Sequence, residues 1–286
     1  MKALVVLLVA LGLCAGLLYA APPAAEAVVA ALPAVAQHDA RATETVFTLV
    51  FFGSLLACGL IGAAICGTNA LRAGRKPARY LLVGGFLGAV GVAAASGYAW
   101  LAGSLARGPA EGSIAALAWG SALVFLEASA EEVYFRGWLQ RVLAERWGPR
   151  GGIVAAALAF AGLHILGGTR NPISVVNLFL GGLLFGLLMA RSGGLVGAVA
   201  AHFSWNWTEG IVLGLSPNPG VGSFGAWINL ELTGPTLWGG SEEGLNGSLA
   251  MLLTLAALLI PLALLRAGAD AKAARSARDR PAPART

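Results

Sequence analysis

Charge is scarce in this sequence. Only 12% of its 286 residues are Asp, Glu, Lys or Arg, against about 25% in a soluble domain. With 57% hydrophobic residues and a mean hydropathy of +0.76, that shortage excludes an ordinary soluble globule and points to a membrane protein. Cysteine is scarce too. Cys14, Cys58 and Cys66 all lie inside apolar runs and lack zinc-ligand spacing, so they read as small hydrophobes. No aspartate falls within an apolar run, which argues against a paired-aspartate mechanism. A His-Glu-x-x-His helix and a Gly-x-Ser-x-Gly elbow are also missing. The net charge of +5 sits in short clusters between apolar runs, so it is read as topology and lipid contact, with no nucleic-acid partner.

Long apolar runs are what the sequence has. A spanning helix needs about 20 apolar residues. Eight segments qualify as candidates: 3–21, 45–66, 80–104, 114–136, 152–168, 173–190, 194–214 and 248–266. The expected fold class is therefore all-α, a polytopic transmembrane helix bundle of about eight spans. The first run, with Lys2 before it and Tyr19-Ala20-Ala21-Pro22 after it, also fits a signal peptide; its length favours an uncleaved span. Residues 1–113 would hold about three N-terminal spans, 114–214 a core, 215–247 an outer or interfacial loop, 248–266 the last span and 267–286 a basic disordered tail. A second loop, rich in Pro and Ala, is expected at 22–43.

Basic residues in short loops set orientation. Arg72, Arg75, Lys76 and Arg79 form one cluster, Arg141, Arg146 and Arg150 a second, and the tail a third. Arg170 and Arg191, on either side of the sixth run, balance each other. The pattern predicts both termini in the cytoplasm. Gly84/Gly88, Gly182/Gly186 and Gly193/Gly197 have the spacing of close helix contacts.

The chemistry concentrates in Glu127-Ala-Ser-Ala-Glu131-Glu132-Val-Tyr-Phe-Arg136, at one end of an apolar run. An ionised side chain at mid-membrane costs about 2.5–3.5 kcal/mol on insertion scales, so intramembrane charges are functional candidates. Glu132 and Arg136 are i, i+4 and can pair on one helix face. Glu131 points elsewhere, with Glu127 one turn before it. Glu127 reads as a second acid near the site or as a plain polar face. Two of the three histidines also lie in apolar runs: His164, four residues after Phe160, and His202, four residues before Asn206. His38 lies in a loop and reads as idle. By run boundaries Glu131 and His202 share a depth, while His164 lies deeper unless its helix is short or broken.

Such a set can act on an amide. A carboxylate beside a neutral His can deprotonate water, and a second His with an Asn amide can donate to an oxyanion. Two His and a Glu are also zinc-ligand types. No cofactor is required by the sequence; one divalent metal such as zinc, if held, would take Glu131, His164 and His202.

These ordered motifs, Glu131-Glu132-x-x-x-Arg136, Phe160-x-x-x-His164 and His202-x-x-x-Asn206, resemble the CAAX protease and bacteriocin-processing family, the type II CAAX prenyl endopeptidase-like intramembrane proteases (Abi in older usage). The resemblance covers roughly residues 114–214. It implies an intramembrane endopeptidase, a family often labelled as metalloproteases. Glu131 would activate water with His164, and His202 and Asn206 would hold the oxyanion. Glu132 and Arg136 would support the site, with Arg136 in reach of a substrate carboxylate, and Phe160 would pack. The expected partners are membrane lipid and a peptide or membrane-protein substrate. The expected location is an inner, cytoplasmic bacterial membrane. The rival readings are a non-catalytic immunity or scaffold protein of the same family, which should tolerate loss of Glu131, and a proton-coupled carrier. A carrier should show an internal repeat, and no second Glu-Glu-x-x-x-Arg occurs.

Overall fold

The computed structural model describes residues 2–108, 112–218 and 222–278, the last fifteen of these by backbone alone. The fold is a bundle of long helices with a helix over each of the eight apolar runs. Helix α1 spans Lys2–Ala30, α2 is the short turn Ala34–Gln37, α3 spans Ala40–Ile65 and α4 Pro77–Leu101. Helix α5, Ile114–Glu132, continues through a π-helical stretch, Val133–Gln140, into α6, Arg141–Leu166. Helix α7 is Pro172–Ser192, and α8 is Val196–Trp207 with a π-helical continuation at Thr208–Leu213. Helix α9 runs Leu249–Arg278. Among the described residues, five helical stretches are long and apolar enough to cross a membrane: Lys2–Ala30, Ala40–Ile65, Pro77–Leu101, Ile114–Leu166 and Pro172–Ser192.

Helix starts are set by local chemistry. The side chains of Asp39, Ser113 and Asn171 each accept a backbone N–H from the first turn of α3, α5 and α7. These bonds satisfy donors that a helix start leaves open. Pro172 follows Asn171 at the first helical position, where its missing N–H does no harm.

The stretch Ile114–Leu166 folds back on itself. Gly148 breaks it with φ 74° and ψ 166°, a conformation that is essentially restricted to glycine. The two arms then pack closely: a Cβ on Gly152 would stand 2.7 Å from the Ala144 backbone nitrogen. Phe135 and Phe160, one on each arm, meet edge to face at 5.4 Å.

Close helix contacts follow two of the three glycine pairs. A Cβ on Gly84 or Gly88 of α4 would collide with the Gly197 carbonyl or the Ser204 hydroxyl of α8. With little hydrophobic drive between helices in lipid, this backbone approach supplies van der Waals contact. Gly182 and Gly186 of α7 face Ala157 and Gln140. The third pair differs from expectation: Gly193 has φ 72° and caps α7, and a Cβ there would meet nothing within 4 Å.

Three boundaries also differ. Residues 22–30, expected in a loop, continue α1 through Pro22 and Pro23, in an alanine-rich stretch of high helix propensity. The fourth run does not stop at 136, because the π-helical stretch carries it on to the Gly148 break. The backbone of α9 is helical to Arg278, past the expected end at 266, and residues 279–286 of the expected tail lie outside the described residues.

The 215–247 segment contributes one strand of a two-stranded sheet not read from the sequence. Strand β2, Leu230–Leu232, pairs antiparallel with β1, Leu105–Arg107. The segment is tied down at two points. Glu44 of α3 accepts the backbone N–H groups of Gly222 and Ser223 at 3.0 and 2.9 Å. Glu243 accepts those of Arg170 and Asn171 at 2.8 and 2.9 Å.

Candidate active site

The acid-rich turn lies where α5 passes into its π-helical stretch, a feature common at functional sites. Glu132 and Arg136 are both fully buried and pair at 2.7 Å, as their i, i+4 spacing predicts. Arg136 also donates to the Gly182 carbonyl at 3.2 Å and lies over the Phe160 ring at 4.6 Å. With no exposed surface and these partners, Arg136 cannot reach a substrate carboxylate in this conformation. That corrects the reach expected of it: the guanidinium is locked inward.

Glu132 has a second donor. His202 Nδ1 lies 2.9 Å from the same oxygen that Arg136 holds. A carboxylate between two such groups accepts, so Nδ1 carries the hydrogen and Nε2 is the free ring nitrogen. That Nε2 lies 3.7 Å from Glu131 Oε2. Phe185 stacks on the His202 ring at 4.6 Å and fixes its plane.

His164 is oriented by its own helix. Its Nδ1 lies 2.8 Å from the Phe160 carbonyl, an acceptor, so Nδ1 donates and Nε2 is again free. Phe160 packs against both histidine rings and against Phe135. The difference in depth expected for His164 disappears in the hairpin. Glu131 lies 17 residues before Gly148 and His164 16 residues after it, so the folded-back arms bring them level.

One cavity of about 170 Å³ joins these groups. Glu131, His164, His202 and Asn206 all line it, with Phe160 and Phe185 as apolar walls. Asn206 is one turn beyond His202, and its amide has no hydrogen bond to another described residue. Glu131 and His202 are buried, while His164 and Asn206 are half-buried. His164 and Glu131 do not meet within 4 Å among the described residues, which leaves room for a small molecule between them.

The residues that a metal would need all face this cavity, yet they are spread around it. Among the described residues no three His, Cys, Asp or Glu side chains stand at ligand spacing. As arranged, the donors do not fit a zinc centre with three protein ligands.

Two buried polar residues of the cavity escaped the sequence reading. Glu209 lies in the π-helical continuation of α8 and Asn177 in α7; both line the cavity and are buried. Glu209 had a legible signal, since it follows His202 by seven positions and so returns to the same helix face. Asn177 had none, because a lone Asn in an apolar run carries no spacing. Glu127, read as ambiguous, also lines the cavity.

Among curated proteins and among solved structures, no significant match was found. A family model described as "Type II CAAX prenyl endopeptidase Rce1-like" matches residues 113–208. That segment runs from the cap of α5 through Asn206 and holds every residue of the Glu/His/His/Asn set. The likeness to the Rce1-like family thus rests on residues 113–208, about a third of the chain.

Proposed function

We propose that the protein is an intramembrane endopeptidase that hydrolyses a peptide bond in a membrane-associated peptide or protein. The observation that carries the reading is the single cavity where Glu131, His164, His202 and Asn206 converge with both free imidazole nitrogens fixed by acceptors at Nδ1. In this reading, a water sits between the Glu131 carboxylate and His164 Nε2. Glu131 takes its proton as the hydroxide attacks the scissile carbonyl carbon. The carbonyl oxygen becomes an oxyanion that accepts from His202 Nε2–H and from the Asn206 amide. Collapse expels the amine, and Glu131 returns the proton to it.

Geometry supports the donor role of His202. In this reading the ring carries a hydrogen on each nitrogen: Nδ1–H is held by Glu132 at 2.9 Å, and Nε2–H lies 3.7 Å from Glu131 Oε2 on the cavity wall.

A neighbouring cavity supports a membrane-delivered substrate. It shares Glu127, Glu131 and His164 with the first, and part of its lining is apolar: Leu18, Phe51, Phe52 and Leu163, from α1, α3 and α6.

The test is comparative peptidomics of membranes from cells that express wild type or Glu131→Ala at matched levels. Cleaved termini present only with wild type are the expected result and define the substrate class. Identical termini from a folded, abundant wild-type protein, repeated with membranes of the native host, would instead favour a binding or scaffold role.

A further inference from the structure

The polar lining of the cavity extends past the Glu/His/His/Asn set, and the extension is made of acceptors. Glu209 is 4% exposed and lines the cavity, and its side chain has no hydrogen bond or ion pair among the described residues. Glu127, half-buried, lines the same cavity and also has neither. Asn177, 2% exposed, adds an independent acceptor. Its Nδ2 donates to the Asn246 and Ser248 carbonyls at 2.8 and 3.1 Å, which fixes the amide, and its Oδ1 is left without a partner. No Lys or Arg lines this cavity among the described residues.

An unpaired acid in a confined site keeps its proton, because burial disfavours the charged form, until a cation beside it makes the ionised form the better one. The shape of the site says which kind. Along α8, Glu209 lies two turns beyond His202, about 10 Å at the helical rise. Helix α5 runs antiparallel beside it, with Trp207 donating to Ser121 at 2.8 Å. Acceptors from α5, α7 and α8 therefore line the cavity beyond the catalytic set: Glu127 one turn from Glu131, Glu209 two turns from His202, and Asn177 on α7. About three residues of extended peptide cover the distance from His202 to Glu209.

We propose that Glu209, together with Glu127 and Asn177 Oδ1, forms a cation subsite that takes an Arg or Lys side chain of the peptide within about three residues of the bond cleaved. This rests on the peptidase reading of the same cavity. A guanidinium suits it best, because its fixed fork can reach a carboxylate and a carbonyl oxygen together.

The subsite is tested first without catalysis. n-Butylguanidinium and its neutral isostere n-butylurea are titrated calorimetrically against the full detergent-solubilised chain. Wild type is expected to bind the guanidinium at least about tenfold more tightly, a preference that survives Glu131→Gln and is lost in Glu209→Gln. Should Glu209→Gln not fold, Glu127→Gln takes its place, with a weakened preference expected. Equal binding of the two probes, or a preference that Glu131→Gln removes, overturns the proposal. Cleavage is then measured in proteoliposomes with peptides that carry Arg or citrulline at each of the positions flanking the cut. The expected Arg-to-citrulline ratio in kcat/KM is at least about tenfold at one position, and Glu209→Gln collapses it. Binding preference without any cleavage sinks the peptidase reading and spares the subsite, while cleavage without preference sinks the subsite alone.

Discussion

Glu132 Oε1 accepts from Arg136 and His202 at once, so one oxygen holds both the structural ion pair and the orientation of the oxyanion donor. Glu131, one residue earlier, has only the 3.7 Å approach to His202. The two acids should therefore fail differently. We predict that Glu131→Gln leaves thermal stability in detergent near wild type and lowers peptide cleavage by about 10²–10⁴-fold. Glu132→Gln leaves Arg136 buried with no charge to offset it, a loss of about 3–5 kcal/mol for a broken buried pair, so the melting temperature falls sharply and activity with it. Equal stability losses in the two variants would refute this division. It was legible in the sequence, because i, i+4 spacing pairs Glu132 with Arg136 and turns Glu131 away. The contact of Glu132 with His202, 70 residues on, was not, since nothing local encodes which oxygen a distant helix will meet. Asn177 was invisible for the same reason: its role depends on the carbonyls of Asn246 and Ser248.

At the scale of elements, the Gly148 hairpin decides whether His164 reaches the site. The apolar pattern located the run after Gly148 well, but the polar residues Gln140, Arg141 and Glu145 masked the helical continuity of the arm before it. That hidden continuity is why the depth of His164 looked inconsistent. Gly148→Ala forces a Cβ into a backbone region that L residues avoid, at about 1–3 kcal/mol. The expected result is a lower melting temperature and a disproportionate loss of cleavage, because the arm that carries His164 shifts relative to Glu131. A variant with wild-type kcat/KM would show that the hairpin angle does not position the base.

Glu243 offers a pH test at the same scale. Partial burial works to raise its carboxyl. The Ser174 hydroxyl beside it, the N–H groups of Arg170 and Asn171 and the Arg170 charge together outweigh that and hold it below the usual carboxylate range. A depressed folded value means that the anchoring is complete above the ordinary carboxylate pKa of 4.5 and fades as pH falls through the lower folded value. Amide exchange in the segment 239–248 should therefore be slow at neutral pH and accelerate, after correction for intrinsic rates, only below that ordinary value. In Glu243→Gln it should be fast throughout. An exchange profile without this low-pH step in wild type would remove Glu243 as the anchor.

For the whole molecule, the basic clusters and the cavity sit in a consistent relation. Arg75 donates to the Arg191 carbonyl, Arg141 to that of Gly193, and Arg191 to that of Leu262. The loop after α3, the base of the hairpin, the α7–α8 turn and this stretch of α9 thus gather at one end of the bundle, where the basic residues concentrate. The segment 215–247 and the α6–α7 turn, pinned together by Glu243, form the other end. Arg75 and Arg141, from the two internal basic clusters, lie at the first end, while Arg170 lies at the other beside Glu243. What patterning could not reveal is the second cavity, because apolar residues that face lipid and apolar residues that line a cavity look alike. Leu18 and Leu163 belong to different helices, yet both line that cavity together with Glu131 and His164. If substrate enters there, a bulkier wall should discriminate by delivery. We predict that Leu18→Trp or Leu163→Trp slows cleavage of a substrate anchored by a transmembrane helix by about tenfold or more. The same variants should cleave a short peptide that reaches the site through the outer end at near the wild-type rate. The two substrates are compared in the same proteoliposomes, with protein amount matched. Equal slowing of both would mean that the wall supports the site without admitting substrate, and an unchanged rate for both would place the entrance elsewhere.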